Sequence, residues 1–282
     1  MPATDSAAPA PKQLVCVKWG TLYGPEYVNR LWGMARRHVS GPLRLVCLTD
    51  DDRGLRPEVE VHPLPPLGVE HPQRTRGKWR KVVLWGAEVP GLDTGRPALF
   101  IDLDSVIVDN IDGYFSHGDP HKVYLARNWA KPLQRLGQTS VFRFPVGGNA
   151  HILQRFRADP QGVADSYHYE QHFITASVTG GVQLWPEGWT RHFRLHCLPM
   201  FPLRLWTDAR LPAGARIVTS PGGPNPDRAV VGAWNRRAPP RSVWEHMRAT
   251  FGPASGRVSD RRWRHLTSFV RPVPWIAEHW RE

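Results

Sequence analysis

The sequence predicts an α/β fold in which a central, mixed and mostly parallel sheet is flanked by helices. Short apolar runs typical of buried strands alternate with an amphipathic helical segment, and several of these runs end in carboxylates. The chain has 282 residues, 41% of them hydrophobic, which is enough to bury a sizeable core. Ligands of such folds bind beyond the carboxyl ends of the strands, so the strand-end carboxylates are the first functional candidates.

The first half of the chain predicts the most regular alternation of elements. A strand over 14–19 is followed by a glycine-containing loop and an amphipathic helix over 26–38. Strands over 43–49 and 59–64 come next, and the apolar spacing in 78–87 favours a helix packed on the sheet. This order predicts a β-loop-α unit at the start of the sheet.

The second half is less regular and rich in turn residues. We expect strands over 122–127 and 140–144 and helices over 150–157 and 170–176. The chain shows no internal repeat and no clear linker after residue 12. The sequence therefore predicts one domain over 13–282, preceded by a disordered Ala/Pro/Ser tip over 1–12.

The run over 98–108 carries the strongest chemical signal. It reads as a buried strand, and side chains two residues apart along a strand point to the same face, so Asp102 and Asp104 would lie side by side. Two carboxylates on one face repel each other, and a hard divalent cation relieves that repulsion. We therefore expect Mn²⁺ or Mg²⁺ on Asp102 and Asp104, able to hold a diphosphate. A pair of solvated strand-end aspartates is the alternative.

The formal net charge of +12 predicts affinity for anions without choosing among them. No helix-turn-helix, zinc-finger or RNA-recognition signature accompanies the arginines, so no specific nucleic acid is expected. The chain has no apolar run of about 20 residues and no basic-then-apolar start. We therefore expect a cytoplasmic protein, with peripheral contact to an anionic membrane left open. Its three isolated cysteines predict buried thiols.

The segments around the Asp-x-Asp motif resemble the nucleotide-sugar glycosyltransferases of the GT-A fold, and within them the retaining family 8 that contains glycogenin and related galactosyltransferases. The stretch from Val15 to Tyr23 is similar to the first strand and nucleotide loop of that family. The resemblance implies that Lys18, Trp19 and Tyr23 bind the nucleotide, with Tyr23 stacked on the base. Asp50, at the end of the second strand, lies where such folds contact nucleotide, although it could equally cap a helix.

Three later segments extend the resemblance. Lys81 lies on a basic segment that in the family reaches the nucleotide or its phosphates, with a solvated helix face as the alternative. Asn149 follows two glycines in a turn that the family places beside the donor sugar. Glu170-Gln171 resembles the family's Asp-Gln pair. This implies that Glu170 binds sugar hydroxyls and Gln171 lies by the anomeric carbon, with a covalent role for Glu170 left open.

The chain departs from the family near its C-terminal motif. Pro221 stands where the family has a histidine that ligates the metal, and no phosphate-binding lysine follows. His192 and His196 are the other histidines that could approach. The resemblance nevertheless implies transfer of a sugar, with retention of configuration, from a nucleoside-diphosphate sugar, most simply a UDP-sugar, to a glycan or lipid-linked acceptor. The alternatives are an inactive nucleotide-sugar-binding relative and a basic nucleic-acid-binding protein.

Overall fold

The computed structural model describes residues 9–68, 72, 78–131, 133–167, 169–235, 240–251 and 267–282. Most of the expected disordered tip and parts of the basic clusters near residues 74, 236 and 261 lie outside the described residues. The chain forms two compact units. The first comprises Met1–Leu103 and Asn110–Trp185, and the second comprises Asp104–Asp109 and Pro186–Glu282.

A seven-stranded mixed sheet forms the centre of the first unit, in the order β3-β2-β1-β4-β7-β6-β8. Four of its neighbouring pairs are parallel, and β7 runs antiparallel to both β4 and β6. The expected mixed, mostly parallel sheet is therefore confirmed. Its strands are β1 (Lys12–Lys18), β2 (Leu43–Thr49), β3 (Glu60–Pro63), β4 (Pro97–Ile101), β6 (Tyr124–Arg127), β7 (Gly137–Pro145) and β8 (Gln183–Leu184).

Helices flank this sheet close to the predicted positions. Helix α1 buries Tyr27, Leu31 and Ala35, which are four residues apart and so share one face. The predicted helix over 78–87 is shorter than expected and is a 3₁₀ helix over Arg80–Trp85. The α-helices of this unit are α1 (Pro25–His38), α2 (Asp112–Ser116), α3 (His151–Ala158), α4 (Pro160–Tyr167) and α5 (Glu170–Ser177).

Aromatic side chains fill the core between the sheet and its helices. Trp85 stacks on Phe142 with ring centroids 5.6 Å apart, and Phe100 lies against the same ring at 4.8 Å. Cys16 and Cys47 pair in register on β1 and β2, and both are buried free thiols. Their mutual hydrogen bond and their burial raise the pKa of the Cys16 thiol well above its usual value. The expectation of buried thiols is confirmed.

The second unit is built on a small three-stranded sheet. Strand β10 (Ile217–Thr219) pairs antiparallel with β5 (Ser105–Ile107) and parallel with β9 (Thr190–His192). Among the residues that the structure describes, no helix has both the length and the apolarity needed to cross a bilayer. The helical segments of this unit are a π-helical turn (Phe193–Cys197), a 3₁₀ helix (Leu203–Leu205), α6 (Pro226–Val231), α7 (Val243–Phe251) and α8 (Pro274–His279).

The prediction of one continuous strand over 98–108 is wrong. Strand β4 ends at Ile101, a turn follows, and β5 begins at Ser105 in the other sheet. The Asp102 N–H still donates to the Ser140 carbonyl at 2.8 Å, which extends the pairing with β7 by one residue before the chain turns away. Aspartate disfavours strand conformation, but apolar residues on both sides hid the break. Asp102 and Asp104 thus flank a turn, and the alternation argument does not apply to them.

Candidate functional site

One edge of the seven-stranded sheet collects most of the predicted site residues of the first unit. Strands β1, β2 and β4 are parallel, so their carboxyl ends meet at this edge. Strand β7 begins there, because it is antiparallel to β4 and Val141 pairs with Ile101. Lys18, Asp50 and Asp102 therefore lie at the same edge.

A chain of polar contacts joins four segments at this edge. Lys81 Nζ lies 3.1 Å from Asp102 Oδ2 and donates to the Thr139 carbonyl at 2.9 Å. The Thr139 hydroxyl donates in turn to Glu170 Oε2 at 2.6 Å. The Lys81 ammonium also lies 5.3 Å from the centre of the Phe100 ring. The Lys81 ammonium is thus bonded to one carboxylate, Asp102, and linked through Thr139 to a second, Glu170. We call Lys81, Asp102, Thr139 and Glu170 the Lys81 network.

Glu170 is the most buried of the three ionisable members of the Lys81 network. Burial raises the pKa of its carboxyl group, which the positive charge of Lys81 and the Thr139 hydrogen bond only partly oppose. Its Oε1 atom is buried and accepts no hydrogen bond from any residue that the structure describes. Gln171 follows in the first turn of α5 and is half-buried, and its carbonyl accepts from the Thr175 hydroxyl at 2.7 Å.

The predicted nucleotide-binding residues form a second group around the β1 to α1 loop. Lys18 is buried and donates to the Asp51 carbonyl at 2.7 Å, so its ammonium joins the ends of β1 and β2. The Gly20 N–H donates to Asp50 Oδ2 at 2.9 Å, and its φ of +59° favours glycine. Tyr23 rests on a neighbouring tyrosine of α1 with ring centroids 4.7 Å apart. Trp19 is half-buried beside them in sequence.

Asn149 is not brought to this edge. Strand β7 ends at Pro145, opposite the first residue of β4 and about 20 Å along the strand from Thr139, so Asn149 follows at the other edge. Its side chain is buried, and Oδ1 accepts from the Thr179 N–H at 3.0 Å. The amide therefore fixes the start of the loop after α5, and nothing in this geometry supports a place for Asn149 in donor binding.

The two histidines that could have completed a metal site, His192 and His196, both accept hydrogen bonds from backbone N–H groups. His196 Nδ1 accepts from the His192 N–H at 2.8 Å, and His192 Nδ1 accepts from the Arg194 N–H at 3.1 Å. Burial and the nearby Arg194 lower the pKa of His192 to about 4, so this ring is neutral at pH 7. A neutral ring whose Nδ1 accepts carries its proton on Nε2, which leaves no free lone pair for a metal.

The carboxylates present fit a hard divalent cation with few protein ligands. Asp102 is about a quarter exposed, and Asp104 begins the second unit and is half-buried. Within the described parts of the chain, no three His, Cys, Asp or Glu side chains cluster as a closed metal site would require. Mg²⁺ and Mn²⁺ accept one or two carboxylates when diphosphate and water complete their shell. Two carboxylates would meet that requirement.

Comparison with solved structures identifies the fold. The chain is similar to the galactosyltransferase LgtC in complex with donor and acceptor sugar analogues, with a TM-score of 0.55 and 12% identity over 90% of this chain and 99% of that one. It is also similar to the glycosyltransferase GlyE of Streptococcus pneumoniae TIGR4, with a TM-score of 0.52 and 11% identity. A third match is the bifunctional WbbM, with a TM-score of 0.50 and 11% identity.

These matches differ in how much of each protein is shared. The match to GlyE covers 95% of this chain but 63% of GlyE, and the match to WbbM covers 80% of this chain but 48% of WbbM. No protein-family model and no curated protein sequence matches it. At such low identities the likeness is one of fold, and it confirms the predicted GT-A fold and its resemblance to family 8 transferases.

Proposed function

We propose that the protein transfers a sugar from a nucleoside-diphosphate donor, a UDP-sugar, to a glycan or lipid-linked acceptor with retention of configuration. The GT-A fold supports a transferase of this class. The Lys81 network is the observation that carries the proposal, since four polar side chains from four segments meet at the carboxyl edge of the sheet. Folds of this class bind their ligands at that edge.

Asp102 and Asp104 are the residues that would hold Mn²⁺ or Mg²⁺. When bound, the ion supplies positive charge to the diphosphate that leaves the sugar. Lys81 fixes Asp102 through Oδ2, which orients this carboxylate before any donor binds. Asp102 would contact both the metal and the ribose of the donor nucleoside.

The nucleotide would lie against the β1 to α1 loop. The Tyr23 ring rests against a tyrosine ring of α1, which holds it in a position to stack on the base. Lys18 and Asp50 hold the loop to the end of β2 and set its shape rather than reaching far into solvent. Trp19 would complete the apolar wall of this pocket.

Glu170 and Gln171 would act at the sugar. The Glu170 Oε1 atom lacks a donor in the described structure, and a sugar hydroxyl would supply one. The Gln171 amide would stabilise positive charge as it develops on the anomeric carbon. LgtC has also been solved as an active-site Gln→Glu variant, which supports a glutamine in this role. Burial of Glu170 favours attack by the acceptor on the same face of the sugar that the diphosphate leaves, over a covalent intermediate on Glu170.

Donor-dependent thermal stabilisation of the whole chain, with and without Mn²⁺, tests the proposal. A UDP-sugar at a hundredfold excess over its Kd should stabilise the protein by about 2.7 kcal/mol when Mn²⁺ is present. Asp104→Asn should remove this metal-dependent shift without lowering the Tm of the free protein. The control Asp109→Asn makes the same charge change at the exposed end of β5 and should keep the shift.

Three outcomes separate the alternatives. Sugar transfer by Asp104→Asn at the parental rate would remove the Asp-x-Asp motif from the mechanism. Stabilisation by a UDP-sugar without transfer to acceptor or water would identify an inactive relative. Stabilisation by single-stranded nucleic acid alone, lost as salt rises, would identify a nucleic-acid binder.

A further inference from the structure

The second unit presents large apolar side chains to solvent on one loop. The loop spans residues 198–209, and it is closed at its base where the Arg210 N–H donates to the Cys197 carbonyl at 2.9 Å. Met200 is 80% exposed, Trp206 67% and Leu203 62%, and Phe201 is also exposed. We call Met200, Phe201, Leu203 and Trp206 the apolar cluster. Exposed apolar side chains grouped in this way mark interaction sites.

The apolar cluster points outward because other residues of the loop fill its interior. Leu198, Leu205 and Ala209 are buried, so the loop has its own inner face. The Trp206 N–H donates to the Leu203 carbonyl at 3.0 Å in a helical turn. Trp275 Nε1 donates to the Ala209 carbonyl at 3.2 Å and anchors the loop to α8. The cluster is therefore a fixed feature of the fold.

Arginines lie within the loop and shortly before it in the sequence. Between Glu187 and Asp208 the sequence contains three arginines and no acidic residue. One of them, Arg194, is exposed and lies 5.2 Å from the centre of the Trp234 ring. Asp208 is itself bonded to Arg271 at 2.5 Å, so its charge is balanced. The loop and its surroundings thus combine aliphatic and aromatic side chains with basic charge.

We infer that this loop docks the protein on an anionic membrane surface. Met200, Leu203 and Trp206 would enter the headgroup layer, where tryptophan and aliphatic side chains are stable. The arginines within and before the loop would pair with anionic headgroups, and the negative potential of such a membrane attracts basic side chains. A second copy of the chain is a poorer occupant, since a two-fold contact would bring the same arginines face to face.

Vesicle co-sedimentation of the full chain tests this inference. Wild type should bind vesicles of equimolar phosphatidylcholine and phosphatidylglycerol and should bind vesicles of phosphatidylcholine alone weakly. The double variant Met200→Ser/Trp206→Ser should bind the anionic vesicles on the order of tenfold less, because it removes two inserted apolar side chains. Trp244→Ser is the matched control, since Trp244 on α7 is 73% exposed, and it should bind like wild type.

A second variant tests the charge. Arg194→Gln should weaken binding to the anionic vesicles and leave binding to phosphatidylcholine unchanged. Equal vesicle binding by wild type and the double variant, or no binding by wild type at low salt, would overturn the inference. So would self-association of wild type that the double variant abolishes, because the loop would then be a contact between copies. None of these measurements requires a sugar donor, so they stand apart from the test of sugar transfer.

Discussion

Lys81 is the residue on which the electrostatics of the candidate site depend. Its ammonium bonds to Asp102 and to the Thr139 carbonyl, and its charge reaches the buried Glu170. Without this cation, two carboxylates would be held close together in a partly buried place, where like charges disfavour ionisation. Lys81 therefore places a positive charge between Asp102 and Glu170, and burial still raises the pKa of Glu170.

The raised pKa of Glu170 predicts a particular pH dependence of stability. The folded state binds this proton more tightly than the unfolded state, so stability falls as pH rises from about 4.3, the unfolded value, to the folded pKa, and stays lower above it. Glu170→Gln should therefore match wild type in acid and exceed it at neutral pH in denaturant unfolding. Glu278→Gln, at an exposed site on α8, should show no such difference. A parallel shift of Glu170→Gln at all pH values would contradict this account.

Gln171→Ala should lower turnover far more than donor affinity. A group that acts on the charge of the transition state changes kcat more than binding, and loss of one such contact costs roughly a hundredfold. Steady-state kinetics with donor titration measure both quantities. Gln161→Ala removes an exposed amide on α4 that donates to Asp165 of the same helix, and it should leave both unchanged. Equal losses in kcat and affinity would make Gln171 a ground-state binding residue.

At the scale of elements, Arg143 on β7 fixes the end of α2. Its guanidinium is buried, donates to the Phe115 carbonyl at 3.1 Å and the His117 carbonyl at 2.8 Å, and lies over the Tyr124 ring at 4.7 Å. The carbonyls at a helix C-terminus have no partners within the helix. A buried arginine with several donors satisfies them, which explains why a charged side chain is kept inside the sheet.

Arg143→Met should therefore destabilise the protein severely. It removes the donor from four buried or partly buried carbonyls, at about 1–3 kcal/mol each, so a loss of at least about 3 kcal/mol in the free energy of unfolding is expected. Arg157→Met removes an exposed arginine that bonds to a carbonyl of the β3 to β4 connection, and it should cost less than about 1 kcal/mol. Denaturant unfolding of both variants decides this, and similar costs would refute the role given to Arg143.

The elements also show how far sequence reasoning reached. Strand β2 is found where apolar spacing predicted it, and α1 differs by one residue. Thr139 is not among the predicted site residues, because the strand predicted from residue 140 begins at Gly137. The residue that joins Lys81 to Glu170 therefore lies in a segment predicted to be loop. Arg143 was also unrecognised, since a lone arginine in an apolar strand gives no sign of the carbonyls it will meet. Both depend on long-range contacts that local patterns do not contain.

At the scale of the whole molecule, the net charge of +12 attracts anions in general, and salt dependence separates this attraction from specific donor binding. Donor binding through a metal and a base pocket should persist as salt rises, because buried or directly coordinated contacts are weakly screened. Binding of single-stranded DNA by surface arginines should instead fall by about 300-fold to 10⁴-fold between roughly 50 and 200 mM salt if six to ten phosphates are contacted.

Titrations of both ligands over that salt range measure, for each ligand, the slope of the logarithm of affinity against the logarithm of salt concentration. A shallow slope for the UDP-sugar and a steep slope for the oligonucleotide are the expected result. Equally steep slopes would mean that the donor is held by general surface charge, and the pocket assigned to Tyr23 and Asp50 would then have no support.

The path of the chain limits how this molecule can be divided. The segment Asp104–Asp109 belongs to the second unit, although residues on both sides of it belong to the first. A fragment ending at Trp185 would keep β5 without β10, its partner strand, and would expose a strand whose residues are all buried. A fragment starting at Pro186 would lack one strand of its three-stranded sheet. Each fragment loses the pairing between β5 and β10, so gene fusion or recombination at this boundary would yield two incomplete products.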